Sequence, residues 1–430
     1  MQISFIGHSC FVLKHAGTGV LCDPWFCGRV FQEGWAQYSP VTASFDDLPA
    51  VNYLWISHEH PDHFHPPTLR SITPKRRSTM TALYQATTDK RVVEFLHDLG
   101  FGQVWELEPR WTALEPDLEI LCVPHEEGNS WVAFRTKTET ILNLNDCGLR
   151  TRNELARVNK AVGDLDLLLT QFSYANWLGN PNQPELRRHD ASKKLEMVAL
   201  QCRTLRAKQV IPFASQMYFC HQENFYLNDS ANLPADAVSF LSEHSTSEPV
   251  VLYNGDSFEP GGPHSTTSAC ERYERDWTRA INAGPIAEIR TESVTMTRLE
   301  EETQAFLNRL EQDAPWYLRR MLGTARIFLW DHGHSVHLTM AGIARGDTRE
   351  EQCDIALHSE SLMLCLQRRY GLDTLGVSGR MHKPAGGSYR RYYRFFRPGM
   401  IVMRGTHVGM RYIMSSIINK AMAKFGLRSN

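Results

Sequence analysis

Residues 58 to 63, His-Glu-His-Pro-Asp-His, put four metal-ligand side chains into six positions. They follow the apolar run Tyr53-Leu54-Trp55-Ile56, which reads as a strand, and Ser57 opens the turn. Imidazoles two residues apart point the same way on extended backbone, so His58 and His60 can grip one ion, while Asp62 and His63 face a second. A solvated His-rich turn is the plain alternative, but this spacing directly after a strand favours ligation. A pair of ions needs about three ligands for each metal plus a bridge, so further residues must come from elsewhere. Asp146 ends the apolar run Ile141 to Asn145, where a carboxylate is costly to bury unless a cation compensates it. Its two oxygens suit it to bridge two metals. His221 follows the strand-like Ile211-Pro212-Phe213 and would complete the second set with Asp62 and His63.

The arrangement His-x-His-x-Asp-His resembles the metal signature of the metallo-β-lactamase fold. That resemblance implies an α/β, αββα sandwich with further ligands arriving from later loops. The stretch Pro124 to Ser130 is similar to the family's His-x-x-Gly-Ser/Thr segment, whose His completes the first metal's set. The resemblance therefore points to His125. Glu126 is its rival, because some dinuclear iron oxygenases of this fold use a carboxylate where the hydrolases use His. Gly7-His8-Ser9 and Asp23-Pro24-Trp25 resemble the opening of the lactonase-like branch. Asn145-Asp146-Cys147, Gln171 to Trp177, and Pro212-Phe213-Ala214-Ser215 with the later His221 resemble the CMP-N-acetylneuraminate hydroxylase family and its bacterial relatives. Those hydroxylases carry an added Rieske iron–sulfur domain, whereas this chain shows no Cys-x-His with a later Cys-x-x-His. A built-in electron-delivering cluster is not expected, and the substrate does not carry over.

Two chemistries use such a ligand set. In a dinuclear iron oxygenase, His58, His60 and His125 (or Glu126) would hold the first iron and Asp62, His63 and His221 the second, with Asp146 between them. Mixed His/carboxylate ligands with open positions suit Fe(II). Electrons would come from a separate donor. In a zinc or manganese hydrolase, the same ligands would lower the pKa of a bridging water for attack on a lactone, amide or phosphoester. Asp62 and Asp146 are the expected catalytic carboxylates in either case. The similarity beyond the metal motif favours the oxygenase. A metal-stabilised scaffold is disfavoured, since structural sites are closed and usually mononuclear. His332, His334 and His337 lack partners at ligand spacing and read as a strand face, and His65 as a neighbour of the site or solvent-facing.

The elements that must position these residues fall into three stretches. Residues 1–245 read as the metal-binding domain: short strands at Ile3–Ile6, Cys10–Leu13, Val20–Cys22, Leu54–Ser57, Ile120–Pro124, Ser130–Phe134 and Thr140–Asn145, then a buried strand at Leu165–Thr170, a helix at Ala191–Lys208 and a strand at Val210–Phe213. Glu94–Leu99 has helical spacing. Residues 246–294, polar and rich in Gly, Pro and Ser, read as a linker or excursion. Residues 295–430 read as an additional α+β module, with a long helix over Val294–Arg319, strands within Ala325–Ala344, a helix over Leu357–Tyr370 and a short strand or turn at Leu375–Gly379.

With 430 residues, 42% of them hydrophobic, the chain can bury a large core. Its start reads as a strand instead of a signal peptide, and no apolar run reaches the length of a membrane span, so it is expected to be cytoplasmic. The ten cysteines form no C-x-x-C pair and read mostly as reduced, buried thiols; Cys147 and Cys220 adjoin candidate ligands. The net charge of −2 conceals an asymmetry: residues 374–430 carry eleven Lys/Arg and no acid, leaving −13 on residues 1–373. The run Tyr389 to Arg397 alternates cations with aromatics ahead of an amphipathic-looking Met410 to Phe425. An acidic partner, such as a carrier protein bearing the substrate, or an anionic membrane surface would suit this tail; packing within the chain is the plain alternative. The other expected partners are a small-molecule or carrier-tethered substrate and an external electron donor. Nucleic acid is not expected, because no recognisable binding module accompanies the charge.

Overall fold

A computed structural model describes residues 1–403, apart from 47, 49, 126, 127, 320 and 321. They form two compact units that divide between Ile286 and Ala287.

The first unit holds two seven-stranded sheets. One runs β16 (Ser257–Phe258), β1 (Gln2–Gly7), β2 (Cys10–His15), β3 (Thr18–Cys22), β5 (Tyr53–Trp55), β6 (Thr81–Gln85) and β7 (Gln103–Leu107). The other runs β15 (Glu248–Pro249), β13 (Gln209–Phe213), β12 (Leu167–Gln171), β11 (Thr140–Asn145), β10 (Ser130–Arg135), β9 (Leu118–Pro124) and β8 (Thr112–Glu115). In each sheet a parallel block, β3-β5-β6-β7 or β11-β12-β13-β15, adjoins antiparallel hairpins. A separate pair joins β4 (Trp35–Gln37) to β14 (Met217–Phe219).

Period-two alternation decides what each face meets. On the first sheet, Leu21, Leu54 and Ala82 pack with Leu69 of α1 (Pro66–Ser71) and with Val92, Val93 and Leu96 of α3 (Arg91–Leu99). On the second, Leu142, Leu144 and Leu168 pack with Leu155 and Val158 of α4 (Arg152–Val162), Val198 and Cys202 of α5 (Pro184–Leu205), and Leu241 of α6 (Pro234–His244). The opposite faces meet each other: Phe11 of β2 lies edge-on to Phe213 of β13 at 6.2 Å between ring centroids, and the Tyr53 hydroxyl donates to the Leu114 carbonyl at 2.9 Å. The layers are helix, sheet, sheet, helix, the αββα sandwich.

The stretch 246–294 supplies β15 and β16 to the edges of the two sheets and the helix α7 (Thr266–Ala283), whose Tyr273 is fully buried. Its Gly, Pro and Ser mark tight turns between short edge strands, and the compact unit runs past residue 245 to Ile286.

The second unit has a four-stranded sheet in the order β19 (Gly342–Arg345), β18 (His334–Thr339), β17 (Ala325–Leu329) and β20 (Ile355–Leu357). The helix expected over 294–319 is divided into α8 (Met296–Asp313) and α9 (Trp316–Arg319), because Pro315 pushes Ala314 into extended backbone at φ −94°, ψ 131°. Two more helices follow, α10 (Ser359–Gln367) and α11 (Gly371–Ser378). The Leu375–Gly379 segment, expected as a strand or turn, is the end of α11: Leu372 and Leu375 are buried at helical spacing, and Gly379 closes the helix at φ 68°. In α12 (Tyr389–Met403) the buried Phe395 and Phe396 lie 5.9 and 5.6 Å from the Phe306 ring of α8. Gly399 permits this contact, since a Cβ there would fall 2.4 Å from a Phe306 ring atom. The aromatics of the basic run thus fill this unit's own core. Arg391 pairs with buried Asp354 at 2.9 Å, whereas Arg390 and Arg394 are exposed. Met410 to Phe425 lie outside the described residues. Among those described, no helix is long and apolar enough to cross a membrane.

Candidate metal centre

The parallel strands of both sheets end at one place, and four non-glycine residues there adopt left-handed backbone: His8 (φ 48°), Asp23 (φ 42°), Asn145 (φ 51°) and Ala214 (φ 52°). Each costs about 1–2 kcal/mol, and strain concentrated at converging strand ends marks a place held for function. The Ala214 amide donates to the His8 carbonyl at 3.1 Å, tying the two sheets together at this edge.

Ser57 anchors the start of the histidine loop. Its amide and hydroxyl donate to Asp23 Oδ1 and Oδ2 at 2.8 and 2.7 Å, and its carbonyl accepts from the Ser130 hydroxyl at 2.7 Å and from Gln85 Nε2 at 3.1 Å. At the other end, Phe64 N donates to the His60 carbonyl at 2.7 Å and α1 begins with Pro66 at its first position. His65, expected in solvent or beside the site, is the buried N-cap of that helix, accepting from Thr68 N at 3.3 Å; burial pushes its pKa down to about 4.

Two groups of ligand atoms, each within 4.8 Å of one another, share His63: His8, Asp62 and His63, and His58, His63 and Asp146. His63 Nε2 lies 3.3 Å from Asp62 Oδ2 and 3.4 Å from Asp146 Oδ2, and His58 Nε2 lies 3.8 Å from the same Asp146 oxygen. The surroundings set the imidazole tautomers. Asp23 Oδ2 accepts from His63 Nδ1–H at 2.8 Å, and the Ser57 hydroxyl, already donating to Asp23, accepts from His58 Nδ1–H at 2.9 Å. With both Nδ1–H groups held this way, His58 and His63 present Nε2 toward the carboxylates. Burial would lower the His63 pKa, but Asp62, Asp146 and Asp23 outweigh it and raise it well above the usual value, so a metal bound at His63 Nε2 would displace a proton. Asn145 Nδ2 donates to the same Asp23 at 2.6 Å.

Buried His58 Nε2, His63 Nε2 and Asp62 Oδ1 make no hydrogen bond. Unsatisfied buried polar atoms are expensive, and a divalent cation would satisfy all three, so the donor set fits a metal ion. Electrostatics agree with the ligand types. Burial holds His58 well below its usual pKa, in the neutral form that coordinates. Burial alone would raise the Asp62 and Asp146 pKa values, but the facing His63 outweighs it, leaving Asp62 well below the carboxylate range and Asp146 at about 2.

Of the residues expected from sequence, His58, Asp62, His63 and Asp146 are brought together. His60 is half-buried, its ring 4.6 Å from that of His58 and 5.6 Å from that of Phe31, and it belongs to neither group. His125 is half-buried, its amide donating to Asn129 O at 2.7 Å, and joins neither group; Glu126 lies outside the described residues. His221 is buried after β14, accepts at Nδ1 from Glu223 N at 3.1 Å, and is likewise in neither group. Asp146 turns only Oδ2 toward the histidines, because Oδ1 accepts from Gln171 Nε2 at 3.1 Å. Cys147 is buried with its thiol pKa well above the usual value, a poor thiolate. His8 and Asp23 were missed as site residues. The Gly7-His8-Ser9 and Asp23-Pro24-Trp25 motifs were the available signal.

Residues 2–150 match the model of the beta-lactamase superfamily domain. The chain carries a beta-lactamase superfamily domain. Around it the architecture is the metallo-β-lactamase fold with a helical C-terminal region. A Mycolicibacterium smegmatis protein named for a Rieske 2Fe-2S iron–sulfur centre is 26% identical over 263 residues, 56% of this chain and 50% of that one. The cytidine monophosphate-N-acetylneuraminic acid hydroxylase of Danio rerio is 24% identical over 329 residues, 67% of this chain and 54% of that one. The chain spans about half the length of these curated relatives. Among solved structures, the diiron beta-hydroxylase CmlA from Streptomyces venezuelae aligns over 60% of this chain and 54% of its own, with a TM-score of 0.42 and 18% identity. An isothiocyanate hydrolase from Delia radicum gut bacteria aligns over 60% and 99%, with a TM-score of 0.43 and 15% identity. Proteins named as hydroxylases stand among the sequence relatives of this metallo-β-lactamase-fold chain, and proteins named as hydrolases stand among the solved structures that align with it.

Proposed function

We propose that this chain is a dinuclear non-heme iron oxygenase that uses O₂ to hydroxylate or otherwise oxidise an organic substrate, with electrons from a separate donor. The observation that carries the proposal is the gathering of His8, His58 and His63 with the carboxylates of Asp62 and Asp146 at the strand ends, where His58 Nε2, His63 Nε2 and Asp62 Oδ1 make no hydrogen bond. His63, with Nδ1 given to Asp23, would serve one of the two ions. Nitrogen and carboxylate ligands with positions left open suit iron(II), which would supply O₂ activation when bound. His58, His63, Asp62 and Asp146 would hold the metals, and Asp62 and Asp146 would also be catalytic. Asp23 and Ser57 fix the two imidazoles, while His8 donates Nε2–H to Asp62 Oδ2 at 3.2 Å and leaves Oδ1 for a ligand bond. His60, His125 or Glu126, and His221 supply the remaining positions in this reading. Sequence similarity to a protein named as a hydroxylase supports the oxygenase over the hydrolase.

Metal analysis of protein purified without chelators, with a visible spectrum after peroxide, tests the reading. Two iron ions per chain and an iron-dependent band are expected. Two zinc or manganese ions, no such band, and cleavage of a lactone or phosphoester without O₂ consumption would replace the oxygenase with a hydrolase.

A further inference from the structure

We infer that Lys194 is a positioning residue that aims Asp146 at the metal centre by fixing the orientation of the Gln171 amide. Lys194 sits on α5, Gln171 ends β12, and Asp146 follows β11. Lys194 Nζ donates to Gln171 Oε1 at 2.6 Å, and Gln171 Nε2 donates to Asp146 Oδ1 at 3.1 Å. An ammonium has three donors and no acceptor, so the amide atom facing it must be the oxygen. That leaves the NH₂ group facing Asp146. Without Lys194 the buried amide could turn over, placing its oxygen against a carboxylate oxygen with two acceptors in contact. The chain of donors also selects which oxygen is used. With Oδ1 occupied by Gln171, Oδ2 is the one held 3.4 Å from His63 Nε2 and 3.8 Å from His58 Nε2. Asp146 is thereby held with Oδ2 toward the two histidines, the oxygen it would present to a metal there. Outer partners of metal ligands act in this way, orienting a ligand they support without touching the ion.

The inference rests on the reading above that Asp146 is a metal ligand. Its test is the affinity of the full chain for Zn²⁺, measured by competition with a chelator, beside the melting temperature of the chelator-treated protein. Lys194→Met should weaken binding by roughly 10- to 100-fold. Lys194→Glu should weaken it at least as much, because a carboxylate accepts from the amide NH₂ and turns its oxygen toward Asp146. Lys194→Arg, which also only donates, should retain near-wild-type affinity. In a Gln171→Leu background, Lys194→Met should cost nothing further, whereas a merely structural lysine would cost the same with or without Gln171. Wild-type affinity in Lys194→Met, or an undiminished loss in the Gln171→Leu background, overturns the inference. Should Lys194→Met fold poorly, equal affinities for Lys194→Arg and Lys194→Glu overturn it as well. Asp146→Ala separates this from the reading beneath it. Retention of both ions there removes the reading and the inference together, while loss of ions there with wild-type affinity in Lys194→Met removes the inference alone.

Discussion

The chain gathers histidines and aspartates twice, at the strand ends of the first unit and around Asp331 in the second, and the two gatherings differ in what their polar atoms do. In the second unit the Asp331 carboxylate accepts from Ser359 N at 3.0 Å, from the Ser359 hydroxyl and from the Ser293 hydroxyl at 2.7 Å. His332 Nε2–H donates to the Val294 carbonyl at 2.8 Å, and His337 Nε2 pairs with Thr348 Oγ1 at 2.9 Å. His358 Nδ1 lies 3.7 Å from the same carboxylate and makes no hydrogen bond. That cluster ties the β17–β18 hairpin to the start of α10. At the strand ends of the first unit, the outer nitrogens are held by Asp23 and Ser57 while the inner atoms, His58 Nε2, His63 Nε2 and Asp62 Oδ1, make no hydrogen bond. Residue type does not distinguish the two places. The degree of satisfaction does: around Asp331 the carboxylate and the His332 ring are bonded and only His358 Nδ1 lacks a hydrogen bond, whereas at the strand ends three converging atoms, two imidazole nitrogens and a carboxylate oxygen, lack one together.

The most direct way to break this contrast is to remove one aspartate from each cluster. Asp146→Ala should lose most of the bound metal, since in the proposed reading it removes a carboxylate that would offset the repulsion of two dications. Asp331→Ala should keep the full complement. Metal content by elemental analysis checks both, and equal loss from the two variants would erase the distinction. Next in size is Asp23→Asn, which touches no ligand position yet removes the carboxylate that orients His63. Its affinity for metal should fall roughly 10- to 100-fold, read by chelator competition, and an unchanged affinity would mean that the tautomer is set elsewhere.

In the second unit the expected losses are in stability. Asp331→Ala leaves buried donors unmatched and should cost about 1–3 kcal/mol in denaturant unfolding. The same carboxylate gives a pH signature. Burial would raise its pKa, but the Ser359 and Ser293 hydrogen bonds outweigh that and hold it below the ordinary value. A depressed folded-state pKa means the unfolded chain binds the proton first, so this stabilisation is complete above the usual aspartate value of about 3.9 and disappears as pH falls through the lower folded value. Asp331→Asn should flatten the acid limb of the stability curve, and a parallel curve would remove Asp331 from the account. The smallest effect is expected from Arg390→Glu with Arg394→Glu, both on the exposed side of α12. Stability should move by no more than about 0.5 kcal/mol and metal content should not move, while binding to an acidic carrier or anionic vesicle, if this face docks one, should weaken and lose its salt dependence.

Local chemistry carried much of this protein into view before any fold was known. The histidine loop after an apolar strand, the aspartate closing β11, and the alternation that sorts Leu142 and Leu144 from Ile141 and Asn143 are all properties of short contiguous stretches. Period and spacing are written along the chain, so the strands and helices of both halves and four of the gathered candidate ligands could be read there, while the αββα sandwich was what the resemblance of the histidine motif implied. The failures were also local: Pro315 stops α8, and the helical burial of Leu372 and Leu375 competes with a strand-like reading of the same residues. Only the tertiary structure decided what stands opposite each ligand. Asp23 reaches His63 across 40 positions and Asn145 across 122; His8 reaches Asp62 across 54, and Lys194 reaches Gln171 across 23. A sequence period records which way a side chain faces but not which strand end will be packed there. That is settled when two sheets close over a common core and their parallel strands stop at the same edge.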